Sequence, residues 1–486
     1  MHLIMAGRKE DKDLSKFIVG TCMGMCPNAE LRLRQREQLI HPLEMAVDSS
    51  GKRLNYAQPR AMIKEFSRSA AGHEIKASDI RPVAVLVKTV KYLLTSLCSR
   101  KDVPWALVYQ FIDDRLRAIR QDLCVQGVKN ITCIQLQQAS VRFYVYSNYR
   151  TCEHELCDFD PYLNNKHLAE TLATVISWFE DLDKEDKQRK VNDASLADAS
   201  SFCNHSDESD SHSDESDQEE IWNASDDDAN ESKILHDAET SEKDTILERT
   251  VANEEASLKI SEDSCVRDQD SCTEGSETVR NVSEAEEGIG TSTHSARTSS
   301  GITDGNKCDV AVSEYSVREE AEALYLLVHF GNEEALMHIL KLPKHIRCSR
   351  LVSVATEMSI AWLTHNYCRV LRLSTFLPPL LLCALHPHLT QIQRKALGIL
   401  SRAHCCKGLV YKQEDLATIL CFPSSHELVE ACKHYGLTVV EGGVSFMKGA
   451  FNWDSPLMKP CRLKWIDDKL ATIHLHELFL PQGLSL

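Results

Sequence analysis

The sequence predicts an all-α protein, built from two helical blocks on either side of a long acidic insert. Apolar residues reach 43% while Gly and Pro stay sparse, which is typical of a helix-rich globular chain. Apolar side chains recur every three or four residues in both blocks, as on one face of a helix. Between the blocks this period disappears. We therefore predict a flexible leader 1–18, an N-terminal helical half 19–183, a disordered acidic insert 184–316, a helical-repeat half 317–405, a terminal module 406–455 and a tail 456–486.

The first block opens with a compact motif, G-T-C-M-G-M-C-P-N-A-E-L-R-L-R-Q-R-E, at residues 20–37. Pro27 and Glu30 predict a helix start, because proline suits the first turn and an early carboxylate suits the helix dipole. This helix should run to about residue 42. Asp79 is suited to cap a later helix that carries Pro82 in its first turn. Further helices are predicted at about 59–72, 79–99, 104–127, 134–148 and 165–182.

The insert supplies the whole net negative charge of the chain. Residues 191–310 hold 32 acidic and 8 basic residues, a net charge of −24, which leaves 47 basic and 40 acidic residues elsewhere, a net of +7. Such a segment buries too little apolar surface to offset its ordering entropy, so we predict disorder. We also hypothesise that it folds back on basic surfaces and competes with anionic partners. Three serines precede an acidic residue by three positions, which indicates either acidophilic phosphorylation or chance: Ser211, Ser216 and Ser225.

The second block predicts short helices at about 317–330, 333–340, 349–364, 367–373, 379–385 and 389–404, a pattern that suggests TPR-like stacked helical repeats. Two more helices follow at about 412–420 and 424–435. Two short β-runs then surround Gly442 and Gly443 between residues 437 and 447, which is a hairpin signal. Helix, helix and hairpin is the order of a winged helix.

Nineteen cysteines are scattered along the chain, and no apolar run near residue 1 resembles a signal peptide. We therefore expect reduced thiols that act as small buried hydrophobes. The alternative is a zinc site, but its C-x3-C spacing is not the usual one. Its candidate ligands are Cys22, Cys26, His41, Cys152, His154 and Cys157. The most apolar stretch, residues 376–385, is too short to span a bilayer, so we predict no membrane partner.

Several motifs in order resemble the SAC/GANP family. They are the residue 20–30 motif, D-I-R-P at 79–82, F-I-D-D-R-L-R-A-I-R-Q-D-L at 111–123, F-D at 159–160, A-L-x-x-I-L-x-L-P at 335–343 and Asn366-Tyr367. The resemblance implies a helical-repeat block that continues into a PCI-type domain and ends in a winged helix. It implies two partners: a second PCI-domain protein, docked through the winged-helix region, and a small acidic disordered subunit.

Members of this family are scaffold subunits of TREX-type nuclear mRNA-export complexes, and relatives act at centrosomes. The string K-E-F-S-R-S-A-A-G at residues 64–72 is most similar to a short SAC domain-containing branch, which is associated with centrosome duplication and spindle progression. The lack of Phe-Gly repeats and the short chain after the winged helix count against assembly of a complete export complex.

The resemblance marks a set of residues for which we predict a structural role, with arginines that clamp neighbouring helices. The alternatives are a solvated face or ligand contact. The set is Cys22, Cys26, Pro27, Glu30, Arg81, Pro82, Asp114, Arg115, Arg117, Arg120, Gln121 and Asp122.

Nucleic-acid contact is a second hypothesis for the terminal module, because winged helices can place lysines on phosphates. The alternatives are that these lysines serve solubility or protein binding. Its candidates are Lys412, Lys433, Lys448 and Lys464.

These patterns together predict a non-enzymatic scaffold without cofactor or small-molecule substrate, because no phosphate loop, catalytic dyad or metal signature is present. We expect it to bind a PCI partner and to act in centrosome duplication or spindle progression, in nucleus and cytoplasm including the spindle. The alternative is an mRNA-export subunit that binds RNA through its winged helix.

Overall fold

The computed structural model describes residues 17–48, 53–68, 75–202, 316–406 and 408–484. The chain divides into two units, residues 1–201 with 307–486 and residues 202–306, and the fold below is that of the first. It is mainly helical, as predicted. In the described ranges, no helix has both the length and the apolar character needed to cross a membrane.

The described residues of the N-terminal half form five α-helices and one strand pair: α1 Asn28–Arg36, β1 Met45–Val47, β2 Arg53–Ala57, α2 Val83–Lys91, α3 Trp105–Gln126, α4 Ile131–Arg150 and α5 Pro161–Phe202. A π-helical turn, Tyr92–Leu97, follows α2. The second half begins with α6 Val317–Val328, α7 Glu333–Leu340, α8 Lys344–Arg347, α9 Arg350–Leu363, α10 Tyr367–Ser374 and α11 Pro379–Ala403. It ends with β3 Tyr411–Lys412, α12 Gln413–Ile419, α13 Ser425–His434, β4 Thr438–Val440, β5 Gly443–Ser445, α14 Lys464–Leu470 and α15 Leu475–Phe479.

The helix predicted at residues 59–72 is wrong for its described part, which is irregular up to residue 68. Four consecutive amide N–H groups there donate to other elements: Ile63 to Glu44 Oε1, Lys64 to the Met25 carbonyl, Glu65 to Glu30 Oε1 and Phe66 to Asp114 Oδ2. A helix would need those N–H groups for its own carbonyls. The segment is therefore held extended by acceptors from elsewhere.

Two helix boundaries also differ from the prediction. α1 follows Pro27, as expected, but ends at Arg36, and Gln38 then adopts a φ of 55°. Asp79 lies in a short 3-10 turn and does not cap α2, which begins directly after Pro82. Pro82 has no side-chain acceptor for the N–H groups of the first turn. Its contribution to the start of α2 is therefore the restricted φ of proline.

Helix α5 continues well past the predicted boundary of the acidic insert at residue 184 and ends at Phe202. Residues 184–202 are therefore helical, and the predicted disorder is wrong there. Arg318 of α6 pairs with Asp183 of α5 at 2.6 Å, which ties this helix to the second half. The rest of the predicted insert, and the leader up to residue 16, lie outside the described residues.

The two helices predicted at 379–385 and 389–404 are one helix, α11, with Pro387 inside it. A proline removes one backbone hydrogen bond, and this predicts a break. Here the turns on both sides are buried, since Leu385 and Leu389 are at most 2% exposed. Burial of both turns outweighs the missing bond.

One apolar core extends through both sequence halves. Helix α4 packs against α2 and α3 of its own half and against α6 and α11 of the second half. Arg142 of α4 forms a bidentate ion pair with Glu320 of α6, and both side chains are almost fully buried. Separating this pair would leave a buried charge without a counter-charge, which is energetically costly. The contact therefore strongly favours one relative arrangement of the two sequence halves.

The terminal module has the predicted order of two helices followed by a hairpin, and β3 adds a third strand. The sheet order is β3-β5-β4, with antiparallel pairing throughout. Gly443 permits the close approach of β3, because a Cβ on it would lie 2.5 Å from the Tyr411 carbonyl oxygen. Gly442, with a φ of 77°, supplies the left-handed turn residue.

Residues 456–486, predicted as a tail, instead return to the N-terminal half as far as they are described. Phe479 of α15 is fully buried and packs edge-on against Phe143 and Tyr146 of α4. The Tyr149 hydroxyl donates to Asp467 Oδ1 at 2.8 Å. The tail prediction was wrong because the apolar side chains of these short helices are buried against α4. Residue spacing within the segment does not reveal that contact.

Candidate functional site

A buried ion cluster lies where α1, the β1–β2 pair and α3 meet. Arg34 pairs with Glu44, which is fully buried, and with Glu65 at 3.2 Å. Arg115 reaches Glu65 at 2.9 Å and also pairs with Asp114. Two guanidinium groups thus face three carboxylates, a local net charge of −1. Each buried charge has an opposite partner, which is the condition that makes buried charge tolerable.

A second buried cluster joins α2, α3 and the extended segment. Asp122 Oδ2 accepts from Arg81 Nε at 2.7 Å, and Asp122 Oδ1 accepts from Lys64 Nζ at 2.6 Å. Arg81 Nη1 also donates to the Met25 carbonyl at 3.3 Å. Arg81 and Asp122 are fully excluded from solvent. One carboxylate therefore holds two cations from different parts of the chain.

The other predicted motif residues surround these clusters. Glu30 lies beside Arg34, and burial raises the pKa of its carboxyl. Arg117 stacks on the Phe66 ring, and Arg120 donates to Thr171 of α5 at 2.9 Å. Gln121 donates to the Ser67 carbonyl. The arginines connect α3 to its neighbours, as a clamping role requires, although Arg115 is the only one of them that reaches several carboxylates.

The two motif thiols are engaged with nearby backbone. Cys22 Sγ donates to the Gly24 carbonyl and Cys26 Sγ to the Pro27 carbonyl. Burial raises the pKa of both thiols, and the Glu30 charge adds to the shift at Cys26. Across the described residues, no group of three or more His, Cys, Asp or Glu side chains is placed to hold a metal ion.

The four predicted nucleic-acid lysines are exposed but lie on separate elements. Lys412 ends β3, Lys448 follows β5, and Lys433 on α13 pairs with Glu430 at 3.2 Å. Lys464 begins α14, which packs against α11 and lies outside the terminal module. The three predicted phosphorylation sites in the insert are outside the described residues.

The second half contains a strongly basic stretch that was not among the predicted sites. Between residues 335 and 413 the chain holds eleven basic residues and a single acidic one, Glu357. A charge count in a sliding window would have found it, but the overall net charge hides it. This stretch covers α8 to α11 and is the most cationic part of the described structure.

An open groove runs along α9 within this stretch and has a volume of about 430 Å³. One face of α9, from Ser353 to the residue after its last turn, Thr364, forms its floor. We call it the α9 groove, and its lining is Leu340, Arg347, Ser353, Thr356, Glu357, Ile360, Ala361, Thr364, Asn366 and Arg369. Glu357 is already paired with Arg369 inside it.

A second exposed feature lies at one end of the three-stranded sheet. Tyr411 pairs with Val444 in antiparallel register, so residues just before Tyr411 lie opposite those just after Val444. Leu409, Val410 and Met447 lie on the two segments that flank the sheet at this end, and they are 38%, 46% and 54% exposed. We call these three residues the sheet-end patch.

Comparison with known proteins identifies the family. The model of the SAC3/GANP family matches residues 25–210 and 304–441, which together make up about two thirds of the chain. The chain belongs to the SAC3/GANP family. Both ion clusters lie in the first matched range or at its edge, and the α9 groove lies in the second.

Curated relatives within the SAC3/GANP family resemble only part of this chain. SAC3 family protein B of Arabidopsis thaliana is 29% identical over 177 residues, 35% of this chain and 10% of that protein. SAC3 family protein 1 of Schizosaccharomyces pombe is 28% identical over 177 residues, 35% of this chain and 16% of that protein. Protein xmas of Drosophila melanogaster is 26% identical over 186 residues, 37% of this chain and 9% of that protein. The chain thus spans a small fraction of the length of these relatives.

Proposed function

We propose that this SAC3/GANP chain is a non-enzymatic scaffold whose terminal module is a winged helix that closes a PCI-type domain and docks a second PCI-domain protein. The observation that carries the proposal is the sheet-end patch. Three apolar side chains, each more than a third exposed, lie on the segments that flank one end of the sheet of this module. Grouped exposed apolar side chains with a polar rim mark protein-binding surfaces.

The surroundings of the patch suit a docking surface. Lys412 and Lys448 lie next to its members in sequence and are exposed, so they form part of a polar rim. β4 is an edge strand, because the sheet order is β3-β5-β4. An unpaired edge offers backbone hydrogen bonds to a partner in addition to the apolar contact.

Titratable groups elsewhere support a role without catalysis. Every buried charge of the two ion clusters is paired with an opposite charge, and burial raises the pKa of the motif thiols, whereas a nucleophilic thiol needs a lowered pKa. A small acidic disordered subunit is a further proposed partner. We propose action in centrosome duplication and spindle progression, in nucleus and cytoplasm.

The docking proposal is tested by recovery of a PCI-domain protein with the tagged full chain, after nuclease treatment. The double variant Val410→Glu/Met447→Glu should lose that protein. The control is Ile131→Glu, which introduces one carboxylate, half the charge of the double variant, at a residue of similar exposure at the start of α4, where a carboxylate suits the dipole. Equal recovery by both variants would refute the proposal.

The cellular role is tested by imaging the tagged chain through mitosis. Spindle-pole signal that disappears with the Val410→Glu/Met447→Glu variant supports the proposed role. Signal confined to the nuclear rim refutes it and favours mRNA export.

RNA binding in an export complex is the second candidate, and the exposed lysines of the module favour it. Charge reversal of Lys433 and Lys448 should weaken RNA binding and flatten its salt dependence. Unchanged binding excludes these lysines as the RNA contact.

A further inference from the structure

The α9 groove combines an apolar floor with basic rims. Leu340 and Ile360 are 38% and 46% exposed and project from α7 and α9 into the same cavity. Its floor extends from Ser353 to Thr364, a length of about 16 Å at the rise of an α-helix. About five residues of an extended peptide, at ~3.3 Å each, match that length.

The cations beside the groove are available to a ligand. Arg347 lines the groove, and Lys344 and Arg350 lie three residues before the lining residues Arg347 and Ser353, on α8 and at the start of α9. In the described part of the chain none of the three pairs with a carboxylate. The Arg347 guanidinium donates to the Leu340 carbonyl. Glu357, the one acidic residue of the lining, is neutralised by Arg369. The field at the groove is therefore positive and uncompensated, which attracts an anionic ligand.

The lining distinguishes between two kinds of anion. Single-stranded nucleic acid is held by cations together with aromatic rings on which bases stack. The groove is lined by aliphatic, hydroxyl, amide and charged side chains, with no aromatic ring among them. Leu340 and Ile360 instead suit an aliphatic or aromatic side chain of a peptide, and this chemistry favours a protein ligand over RNA.

We propose that the α9 groove is a docking site for an acidic peptide segment of a partner protein, with an apolar anchor side chain that inserts between Leu340 and Ile360. The carboxylates of the segment pair with Lys344, Arg347 and Arg350. This site is separate from the sheet-end patch and does not depend on the proposed PCI contact. The chain thus has two docking surfaces with different chemistry.

The test measures binding of labelled probes to the full chain by fluorescence anisotropy at physiological ionic strength. The peptide probe has the sequence D-E-S-D-Q-E-E-I-W-N-A-S-D-D-D, which occurs at residues 214–228 and has a net charge of −8 around one apolar pair. A second peptide carries serine in place of that pair. The third probe is a single-stranded RNA of equal net charge.

Two variants address the two components of the site. Lys344→Glu/Arg350→Glu should lower the affinity for the first peptide at least tenfold and reduce the salt dependence of its binding, because exposed cations supply the long-range attraction. Ile360→Ser should lower the affinity for the first peptide several-fold and leave the affinity for the serine peptide unchanged. The matched control is Lys88→Glu/Lys166→Glu, which reverses two exposed lysines on α2 and α5 outside the proposed sites and should change the affinity of neither peptide.

Three results would overturn the proposal. The first is no binding of the anchored peptide by the unmodified chain. The second is equal affinity for the anchored and serine peptides. The third is tighter binding of RNA with the same sensitivity to Lys344→Glu/Arg350→Glu, which would assign the groove to nucleic acid. Because the sheet-end variants leave the groove intact, loss of the PCI partner and loss of the peptide are distinguishable.

Discussion

Replacing Asp122 by asparagine tests whether the family motif acts as a buried ionic clamp. The carboxylate is fully buried and holds Arg81 at 2.7 Å and Lys64 at 2.6 Å. The amide side chain would keep the shape and one acceptor oxygen, but both cations would lose their counter-charge. Removing one partner of a buried pair costs about 3 to 5 kcal/mol. The retained hydrogen bond places the expected loss near the lower end, about 3 kcal/mol.

The measurement is the free energy of unfolding from urea titration, followed by circular dichroism and tryptophan fluorescence. Glu170→Gln is the matched control, because it neutralises a carboxylate that pairs with Arg120 at 3.2 Å while both side chains are partly exposed. Such a pair contributes about 1 kcal/mol or less. Equal losses for the two variants would refute the clamp.

A double variant separates the clamp from simple loss of packing. Lys64→Gln/Asp122→Asn removes one of the two stranded cations together with the carboxylate. It should therefore be less destabilised than the sum of its two single variants, because neighbouring charges are coupled. Additive losses would show that Lys64 and Asp122 stabilise the fold independently.

Three further predictions address other parts of the fold. Phe479→Ala should lower the free energy of unfolding by about 3 to 5 kcal/mol, because the ring is fully buried; a loss below ~1 kcal/mol by urea titration would show that α15 is not anchored. His338→Gln should cost more stability at pH 5.5 than at pH 8.5. The hydrogen bond to Glu322 raises the pKa of His338, so its contribution is complete below the pKa of the unfolded chain and is lost as pH rises through the folded value; equal costs at both pH values would contradict this. Gly443→Ala should separate β3 from β5, because its Cβ would collide with the Tyr411 carbonyl; unchanged amide protection at Tyr411 in hydrogen exchange would contradict this.

The helices of the second block were predictable because their start signals are local. Ser316, Asn332 and Asn366 each accept a hydrogen bond from an N–H of the first turn, and these residue types are the preferred N-caps. Predicted and observed bounds of α7 are the same. Those of α9 differ by one residue at each end, and those of α10 by one residue at its C-terminal end. Where the cap and the apolar period agree, sequence determines the element.

The extended segment that ends at Phe66 was not predictable for the opposite reason. The side chains that accept its N–H groups come from Glu30, Glu44 and Asp114, which are 19 to 48 residues away. No local pattern shows such acceptors, so the prediction followed helix propensity. In the fold, the tertiary hydrogen bonds outweigh that propensity. The same limitation hid the docking of α15.

The candidate sites divide in a similar way. The arginine motif was found through the family resemblance, but which carboxylate each arginine meets depends on the fold. The α9 groove was missed, although the single acidic residue among eleven basic ones is visible in the sequence. It was missed because charge was counted over domains and not along shorter windows.

The state of the charges separates residues that stabilise the fold from residues that are available for binding. In the N-terminal half, the cations of the family motif are mostly buried and paired: Arg34, Arg81 and Arg115 are at most 4% exposed and each has a carboxylate. In the second half, Lys344 and Arg350 are exposed and unpaired in the described structure. A buried pair cannot exchange its partner without unfolding, whereas an exposed cation loses little when it leaves water for a ligand carboxylate. We therefore expect substitutions in the motif to act through stability, and those around α9 and the sheet-end patch to change binding at constant stability.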